Sequence, residues 1–543
     1  MLPVEKIATD ILVVGGGAAG LTAALEARSL GRDVTILSKS KVGRSGNTIV
    51  SGTGMAMLTR DPESEDSPEI YGRDTLKSGK DVNDRPMMKI FLKGSTDIVE
   101  TLTRYGVMFR KLDGRFMKKR VPGHSMPRSL TTDFGRYPYL SRGLSLSEPL
   151  LRSAEKSGIR IIDFAPVIRL LTADGAICGA VAIGKKEEKT LVFSAPTIIL
   201  AAGGGGRIYS RSNNTFDMTG DAYALACEAG ATLRDMEFVQ FYPTMMFSPI
   251  KVTVSSPLLG EGAFLRNSLG ERFMERYDPA GDMATRDIMT RAMFNEVIEG
   301  RGRNGDIFMD CRHLSRDVLT RKYPELLRLL SKVNLDPSRD LLPISPATHF
   351  FMGGVAIDPA CQTSVPGLLA CGEAAGGLHG ANRLGGNALS EAFVFGTIAG
   401  RRAAAIGGGR RKAPQVDIGE IEPYRDGDVS LPEMKGKLRE TTWKYLSIIR
   451  DQRSGEKAIE EISAIERSSA HAGIASVHEL VSFYELKNMA LTARLIALGS
   501  IARRESRGAH FRSDHPVSKD SYRGNFFLRQ VDGKLRSDFV PIL

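Results

Sequence analysis

Only five cysteines occur in 543 residues (Cys178, Cys227, Cys311, Cys361 and Cys371), and none belongs to a CxxC pair or a cluster. That scatter argues against a disulfide framework, an iron–sulfur ligand set, covalent haem and a dithiol redox pair. Any electrons handled here must therefore come from a partner subunit or a diffusing molecule. Long apolar runs are missing too: no stretch approaches the roughly 18–20 residues that a membrane span requires. The opening residues, MLPVEKIATDILVVGGG, run into a strand without a basic-then-apolar leader, so no signal peptide is expected. A cytoplasmic protein follows, peripheral on the inner face of a membrane only through partner subunits. Tryptophan occurs once and aromatics make up 7% of the chain, with no nucleic-acid motif. The net charge of +11 therefore reads first as solvated surface and next as a complement to an acidic substrate or partner, with no nucleic acid bound. Its basic clusters lie at Arg110 to Arg120, Arg401 to Lys412 and Arg503 to Arg512.

Glycine, by contrast, is plentiful at 57 residues, which favours a fold with tight turns and close backbone approach. The chain is too long for a single hydrophobic core, so two to four domains are expected. Residues 10 to 38 read as a βαβ unit: the buried strand ILVV, the helix AAGLTAALEARSL and the strand DVTILS. Residues 83 to 106 read as a helix, and strands follow between about 159 and 200. From 241 to about 353 charged helical stretches alternate with short strands. The apolar strand of VPGLLACGEAAGG then leads into a glycine turn and the helix NALSEAFVFGTIAGRRAAA. One cofactor domain interrupted by an insertion fits this order. Residues 407 to 430 read as a linker, and 431 to about 505 as a helical bundle, with apolar Leu446, Ile449, Leu491, Leu495 and Leu498.

Gly15, Gly17 and Gly20 match G-x-G-x-x-G after a strand and at the start of a helix. The first permits a tight turn, the second lets a pyrophosphate approach, and the third lets helix and strand pack closely. The acid expected at the end of the second strand is replaced by Leu37, Ser38 and Lys39, which disfavours a generic nicotinamide dehydrogenase. Ser38 retains a hydroxyl for a ribose or a phosphate. AAGGGGRIYSRSNNTFDMTGD supplies a second glycine turn and Asp221, either a helix N-cap, a cofactor ligand or both. Glu373 in CGEAAGG has the same duality. HGANRLGGN, at 379 to 387, sets an arginine among close-approach glycines, a composition suited to gripping a carboxylate beside a cofactor. These features point to a flavin enzyme acting on a carboxylic acid.

GGGAAG, RSGNT, GTGMA, GHSMPR, AGGGGRIY, TGD, QFYPT, GEGAFLRNSLGERFMERY, TRDIMTRAM, THFFMGG, GEAAGGLHGANRLGGN and ARRESRGAHFR occur in that order. With them the chain resembles the flavoprotein subunits of the succinate dehydrogenase/fumarate reductase family, which includes L-aspartate oxidase, over roughly residues 8 to 520. The resemblance implies an α/β fold: a Rossmann-like FAD-binding domain (1–240 and 354–415) interrupted by an α+β capping domain (241–353), then a C-terminal helical domain and tail (427–543). It implies FAD, a small dicarboxylate substrate and a partner iron–sulfur electron-transfer subunit, with no metal of its own. Arg286 takes the place of the arginine that passes a proton to or from the substrate carbon. His349, Arg383, Tyr242 and Ser255 take substrate-binding places. Without the resemblance, Arg286 reads as a helix-surface arginine paired with Asp287 or Glu296, and His349 as a core histidine. Cofactor-binding places fall on Gly15, Gly17, Ala18, Ala19 and Gly20, and on Ser38 and Lys39. They continue through Ser45, Gly46, Asn47, Thr48 and Gly54, then Ala202, Gly203, Asp221 and Glu373, and end with Asn387, Ala388 and Leu389. Because Arg286 and His349 lie on the insertion and Arg383 outside it, the capping domain is expected to move as a lid.

Three departures from the family pattern carry implications. Asn47 stands where covalently flavinylated members have histidine, so FAD is expected to be non-covalent, which leans toward fumarate reduction or toward oxidation of an easier substrate. Tyr242 replaces the histidine of QFHPT. Ser255-Ser256 and Leu259 replace a threonine-glutamate pair and an arginine, removing the family's usual proton relay to Arg286. The leading expectation is the catalytic subunit of a fumarate reductase/succinate dehydrogenase complex. L-Aspartate oxidase and a flavin-holding electron-transfer subunit with a drifted substrate site are the alternatives.

Overall fold

A computed structural model describes residues 2–61, 64–121, 123–254, 257–406, 421 and 424–542, arranged in two compact units. The first comprises residues 1–210, 214–239 and 351–543, and the second 211–213 and 240–350.

The first unit is organised by a five-stranded parallel sheet in the order Leu368–Ala370, Thr197–Leu200, Ile11–Val14, Val34–Leu37, Arg160–Ile162. Strands such as ILVV and TIIL are apolar at every position because helices cover both faces of a parallel sheet. Ala18–Ser29 and Asn387–Ile406 pack together there. A Cβ on Gly400 would overlap the Ala23 carbonyl, so the small residues of the two helices set their close approach. Of the strands read between 159 and 200, Arg160–Ile162 and Thr197–Leu200 join the parallel sheet, and Val167–Ala173, Ala176–Gly184 and Lys189–Ser194 form a second sheet with Val4–Ala8. Val4–Ala8 is an additional strand ahead of the βαβ unit. It is mostly exposed, and so lacks the apolar signature that marks the next one.

Helices Leu431–Leu446, Gln452–Ser469 and Val477–Ala502 form the C-terminal bundle. Their starts are fixed by Ser430, Asp451 and Ser476, whose side chains each accept from a first-turn amide. The tail is not helical. Gly524–Val531 and Lys534–Pro541 form an antiparallel hairpin that extends a sheet through Leu233–Arg234. Asp532 (φ 50°) and Gly533 (φ 72°) make its turn, as expected of an Asp-Gly pair.

Arg503, at the end of the last helix, is fully buried and joins Glu237 at 2.6 Å, Glu505 at 3.1 Å and Asp235 at 3.2 Å. Burial raises the Glu237 carboxyl above its ordinary range, opposed by the Arg503 guanidinium. Removing the arginine strands these acids in the interior. Arg503→Leu is therefore expected to cost about 3–5 kcal/mol, read as a lower midpoint in urea unfolding; an unchanged midpoint contradicts that role.

The second unit has its own sheet, in the order Val252–Thr253, Val239–Met246, Leu342–Phe351, Ile307–Asp310, Phe264–Arg266. Met246, Leu258, Phe273, Met289, Met293 and Ile344 belong to its buried core. Helix Arg286–Ile298 packs against this core through Met289, Ala292 and Met293, one side of its turns.

Candidate functional site

In the first unit the turn after Ile11–Val14 is shaped by glycine. A Cβ on Gly15 (φ 116°) would overlap the Ala201 carbonyl, and one on Gly20 would overlap the Gly15 carbonyl. A Cβ on Gly17 would meet only Thr48 Oγ1, at 3.3 Å. Gly17 is the N-cap of Ala18–Ser29 and gives no side-chain cap, so the first amides of the helix are left to other acceptors. One of these is Thr48 Oγ1, which accepts from the Ala18 amide at 3.0 Å and ties residues 45–50 to the turn. Ser45 donates to the Lys41 carbonyl at 2.6 Å, a bond within its own loop. Gly54 opens the strand Gly54–Ala56, paired with Ser129–Thr131.

Asn47 begins the short helix Asn47–Val50, and its carboxamide joins three segments. Its Nδ2 donates to Asn214 Oδ1 at 2.9 Å and Glu373 Oε2 at 3.3 Å, and its Oδ1 accepts from the Thr215 amide at 3.2 Å. Glu373 also accepts from the Phe351 amide at 3.1 Å. Burial pushes its carboxyl up to about 7, although these hydrogen bonds and the Arg383 charge oppose the rise. A folded-state value above the ordinary 4.5 makes the ionised form the unfavourable one. Its contribution to stability is complete below about pH 4.5 and is lost as pH rises through about 7. The FAD-free protein is thus expected to lose about 3 kcal/mol from this group between pH 4.5 and 8, and Glu373→Gln to remove that part of the pH dependence of Tm. A variant whose Tm keeps the full slope contradicts the assignment.

Asp221 is not the N-cap: Gly220 (φ 82°) caps Asp221–Glu228, and Asp221 is its first residue. The carboxylate takes Lys39 at 2.7 Å, Asn488 Nδ2 at 2.9 Å and Thr219 Oγ1 at 3.0 Å. Lys39 also reaches Glu485 at 3.3 Å and bonds Thr219. Burial works against the Lys39 ammonium, but Asp221 and Glu485 outweigh it and hold its pKa up. Burial likewise opposes Glu485 ionisation, and Lys39 and Lys435 hold that carboxyl down to about 2. Lys39 is therefore anchored by acids. Ser38 is buried beside it, at the end of its strand.

Ala202 and Gly203 (φ 74°) follow the strand Thr197–Leu200. Asn387, Ala388 and Leu389 form the first turn of Asn387–Ile406. Asn387 Oδ1 accepts from Tyr71 at 2.8 Å, while its buried Nδ2 has no hydrogen-bond partner among the described residues. An orphaned buried donor at a helix start beside glycine turns fits a bound anion-rich cofactor. His379, in the loop before this helix, meets Glu391 on the helix at 2.9 Å, both 2% exposed. Arg383 is buried and donates to the Leu384 carbonyl at 3.0 Å.

The second unit brings Arg286, Tyr242 and His349 together. Tyr242 and His349 lie on neighbouring strands, with ring centroids 5.3 Å apart. The Arg286 guanidinium carbon sits 5.1 Å from the Tyr242 ring centroid. The alternative helix-surface partners are committed elsewhere: Asp287 accepts from Thr285 at 2.6 Å and lies 3.6 Å from Arg291, and Glu296 is taken by Arg276, Arg301 and Tyr277. His349 Nδ1 lies 3.1–3.2 Å from the Asn213 carboxamide, which fixes the ring. Leu259 is buried in the unit's apolar core and moves no proton. Ser255 and Ser256 lie outside the described residues.

Sequence reasoning missed the Asn47–Asn214 link, the Lys39–Glu485 pair and the Asn213–His349 contact. The adjacent asparagines after the AGGGG turn were the available signal for the first and third. Glu485 lies 446 positions from Lys39 and left none.

Comparison with known proteins fits this arrangement. A family profile described as an FAD binding domain matches residues 10–389, and one described as fumarate reductase flavoprotein C-term matches 435–532. A subunit of the CoM/CoB fumarate reductase of Methanothermobacter marburgensis is 35% identical, covering 99% of each chain. L-Aspartate oxidase of Acinetobacter baylyi is 30% identical, covering 96% of this chain and 97% of its own. The FrdA chain of an E. coli quinol fumarate reductase variant superposes with a TM-score of 0.89 at 26% identity, covering 99% of this chain and 97% of its own. The chain belongs to the fumarate reductase/succinate dehydrogenase flavoprotein family of FAD-dependent oxidoreductases.

Proposed function

We propose that this chain is the catalytic flavoprotein subunit of a fumarate reductase, holds FAD non-covalently and receives electrons from an iron–sulfur subunit. The observation that carries the reading is the cluster of Arg286, Tyr242 and His349: a guanidinium held over an aromatic face beside an oriented imidazole. FAD, when bound, supplies a hydride to one alkene carbon. Arg286 gives a proton to the other, so fumarate, two electrons and two protons become succinate. His349 and Arg383 hold carboxylates, Arg383 through a planar fork of donors. Tyr242 restrains the Arg286 side chain, which otherwise has several rotamers. With Leu259 apolar, Arg286 regains its proton by a route other than the family's usual relay.

For the cofactor, the glycine turn, the start of Ala18–Ser29 and Asn387 would hold phosphates and polar ring atoms, and Glu373 and Asp221 hydroxyls. Asn47 offers no nucleophile for a covalent link. Acid precipitation should release yellow flavin into the supernatant, and flavin retained in the washed pellet contradicts this.

Two anaerobic arms test the substrate. Oxidised enzyme should keep its flavin colour with L-aspartate, and reduced enzyme should regain it with fumarate. Bleaching by L-aspartate would replace this reading with the oxidase.

A further inference from the structure

The HGANRLGGN loop that carries Arg383 is held from outside at several points of the first unit. The Ala381 amide donates to the Gly79 carbonyl at 2.9 Å, and the Gly386 carbonyl accepts from the Ala56 amide at 3.3 Å. Between these ties the Gly385 carbonyl lies 2.8 Å from His124 Nε2. A Cβ on Gly123 (φ 90°) would meet Leu384 Cδ2 at 2.7 Å, so the glycine lets Leu384 lie against the segment that bears His124. His124 is buried, and its backbone is pinned on both sides. Arg120 Nε donates to its carbonyl at 3.1 Å, and the Ser125 amide donates to Asp74 Oδ2 at 2.9 Å. The ring is oriented by Arg128, itself buried and clamped by Asp66 through two bonds of 2.7 Å and by Asp74 at 2.6 Å. Arg128 Nη1 also lies 2.8 Å from His124 Nδ1. A guanidinium offers only donors, so Nδ1 must accept, the ring proton sits on Nε2, and Nε2–H donates to Gly385. One tautomer, fixed by a buried arginine, thereby holds a backbone carbonyl two residues from Arg383.

We propose that His124 is a positioning residue: through the Gly385 carbonyl it sets the Arg383 guanidinium for a substrate carboxylate, and it does so only while its ring is neutral. This rests on the carboxylate-gripping role read for Arg383. A protonated ring has a donor on each nitrogen and would turn an N–H toward the Arg128 guanidinium, which Asp66 and Asp74 hold in place. The charged and titratable groups around the ring are Arg128, Arg120, Asp66 and Asp74, with Arg383 in the loop itself and the Tyr71 ring centroid 6.1 Å away. Burial lowers the His124 pKa below its ordinary 6.5; the Gly385 bond opposes that fall, Arg128 adds to it, and Asp74 and Asp66 oppose it. The neutral, loop-setting form is therefore complete above about pH 6.5 and is lost as pH falls through the lowered value.

The test compares the full FAD-loaded protein with two variants. His124→Phe keeps a flat ring without its nitrogens, and His124→Gln has an amide that donates and accepts but does not titrate. With fumarate at about pH 8 and reduced methyl viologen as electron donor, His124→Phe should raise KM about tenfold while kcat changes by less than about twofold. His124→Gln should restore the original KM. As pH falls to about 5, KM of the unaltered protein should climb relative to that of His124→Gln. Groups common to both, His349 and Glu373 among them, cancel in that ratio. A KM unmoved by His124→Phe overturns the proposal. So does a His124→Gln no better than His124→Phe, the mark of packing alone, or a ratio that stays flat with pH. Should His124→Phe not fold, the pH ratio against His124→Gln decides alone. Amide hydrogen exchange across residues 379–387, read without substrate at about pH 8, should be faster in His124→Phe and unchanged in His124→Gln. If none of the three proteins reduces fumarate while that exchange pattern holds, the substrate reading falls and the loop-setting role stands. Equal exchange in all three overturns the role.

Discussion

Arg286→Lys is expected to retain FAD and to bind dicarboxylate nearly as well, yet to turn over fumarate about 10²–10⁴-fold more slowly. Lysine keeps the positive charge but not the planar guanidinium, whose carbon lies 5.1 Å from the Tyr242 ring centroid. The proton donor is then displaced from the substrate carbon, and a loss confined to the transition state lowers kcat and kcat/KM together. Steady-state kinetics with fumarate reads this directly. Near-normal turnover removes Arg286 from the mechanism.

A different pattern is expected for Arg383→Lys. This side chain is buried in the HGANRLGGN loop and braced by the Leu384 carbonyl at 3.0 Å. A fork of donors becomes a single ammonium, and a charged hydrogen bond worth about 1.5–3 kcal/mol is lost. KM for fumarate should rise roughly 10- to 150-fold, with a smaller fall in kcat. A changed kcat at constant KM contradicts a binding role.

The parallel sheet and its crossover helix were legible because a continuous apolar strand, a glycine turn and an alanine-rich helix are local signals. The same holds for the C-terminal helices, whose apolar spacing survives in Leu446 and Leu495. The final hairpin was not anticipated, although Asp532-Gly533 is a turn signal. Its outer strand is mostly exposed and lacks clean alternation, so only pairing with Gly524–Val531 defines it. At the site, Gly15, Gly17 and Gly20 could be read from spacing, whereas the roles of Arg286 and His349 came from the resemblance. Their grouping around Tyr242 depends on neighbouring strands far apart in the chain, and the sequence has no local trace of it. Asp221 shows the limit of local rules: an acid at a helix start suggests a cap, but Gly220 caps and Asp221 instead takes Lys39, Thr219 and Asn488. Long-range charge pairs of this kind, Arg503 with Glu237 among them, leave only unremarkable charged letters in the chain.

A single turnover tests the central claim most directly. FAD-loaded protein, photoreduced without oxygen and mixed with fumarate, should recover its yellow colour and yield one succinate per flavin. Arg286→Lys should reach the same end point far more slowly. Flavin that stays reduced in the presence of excess fumarate, or colour that returns without succinate, contradicts the account.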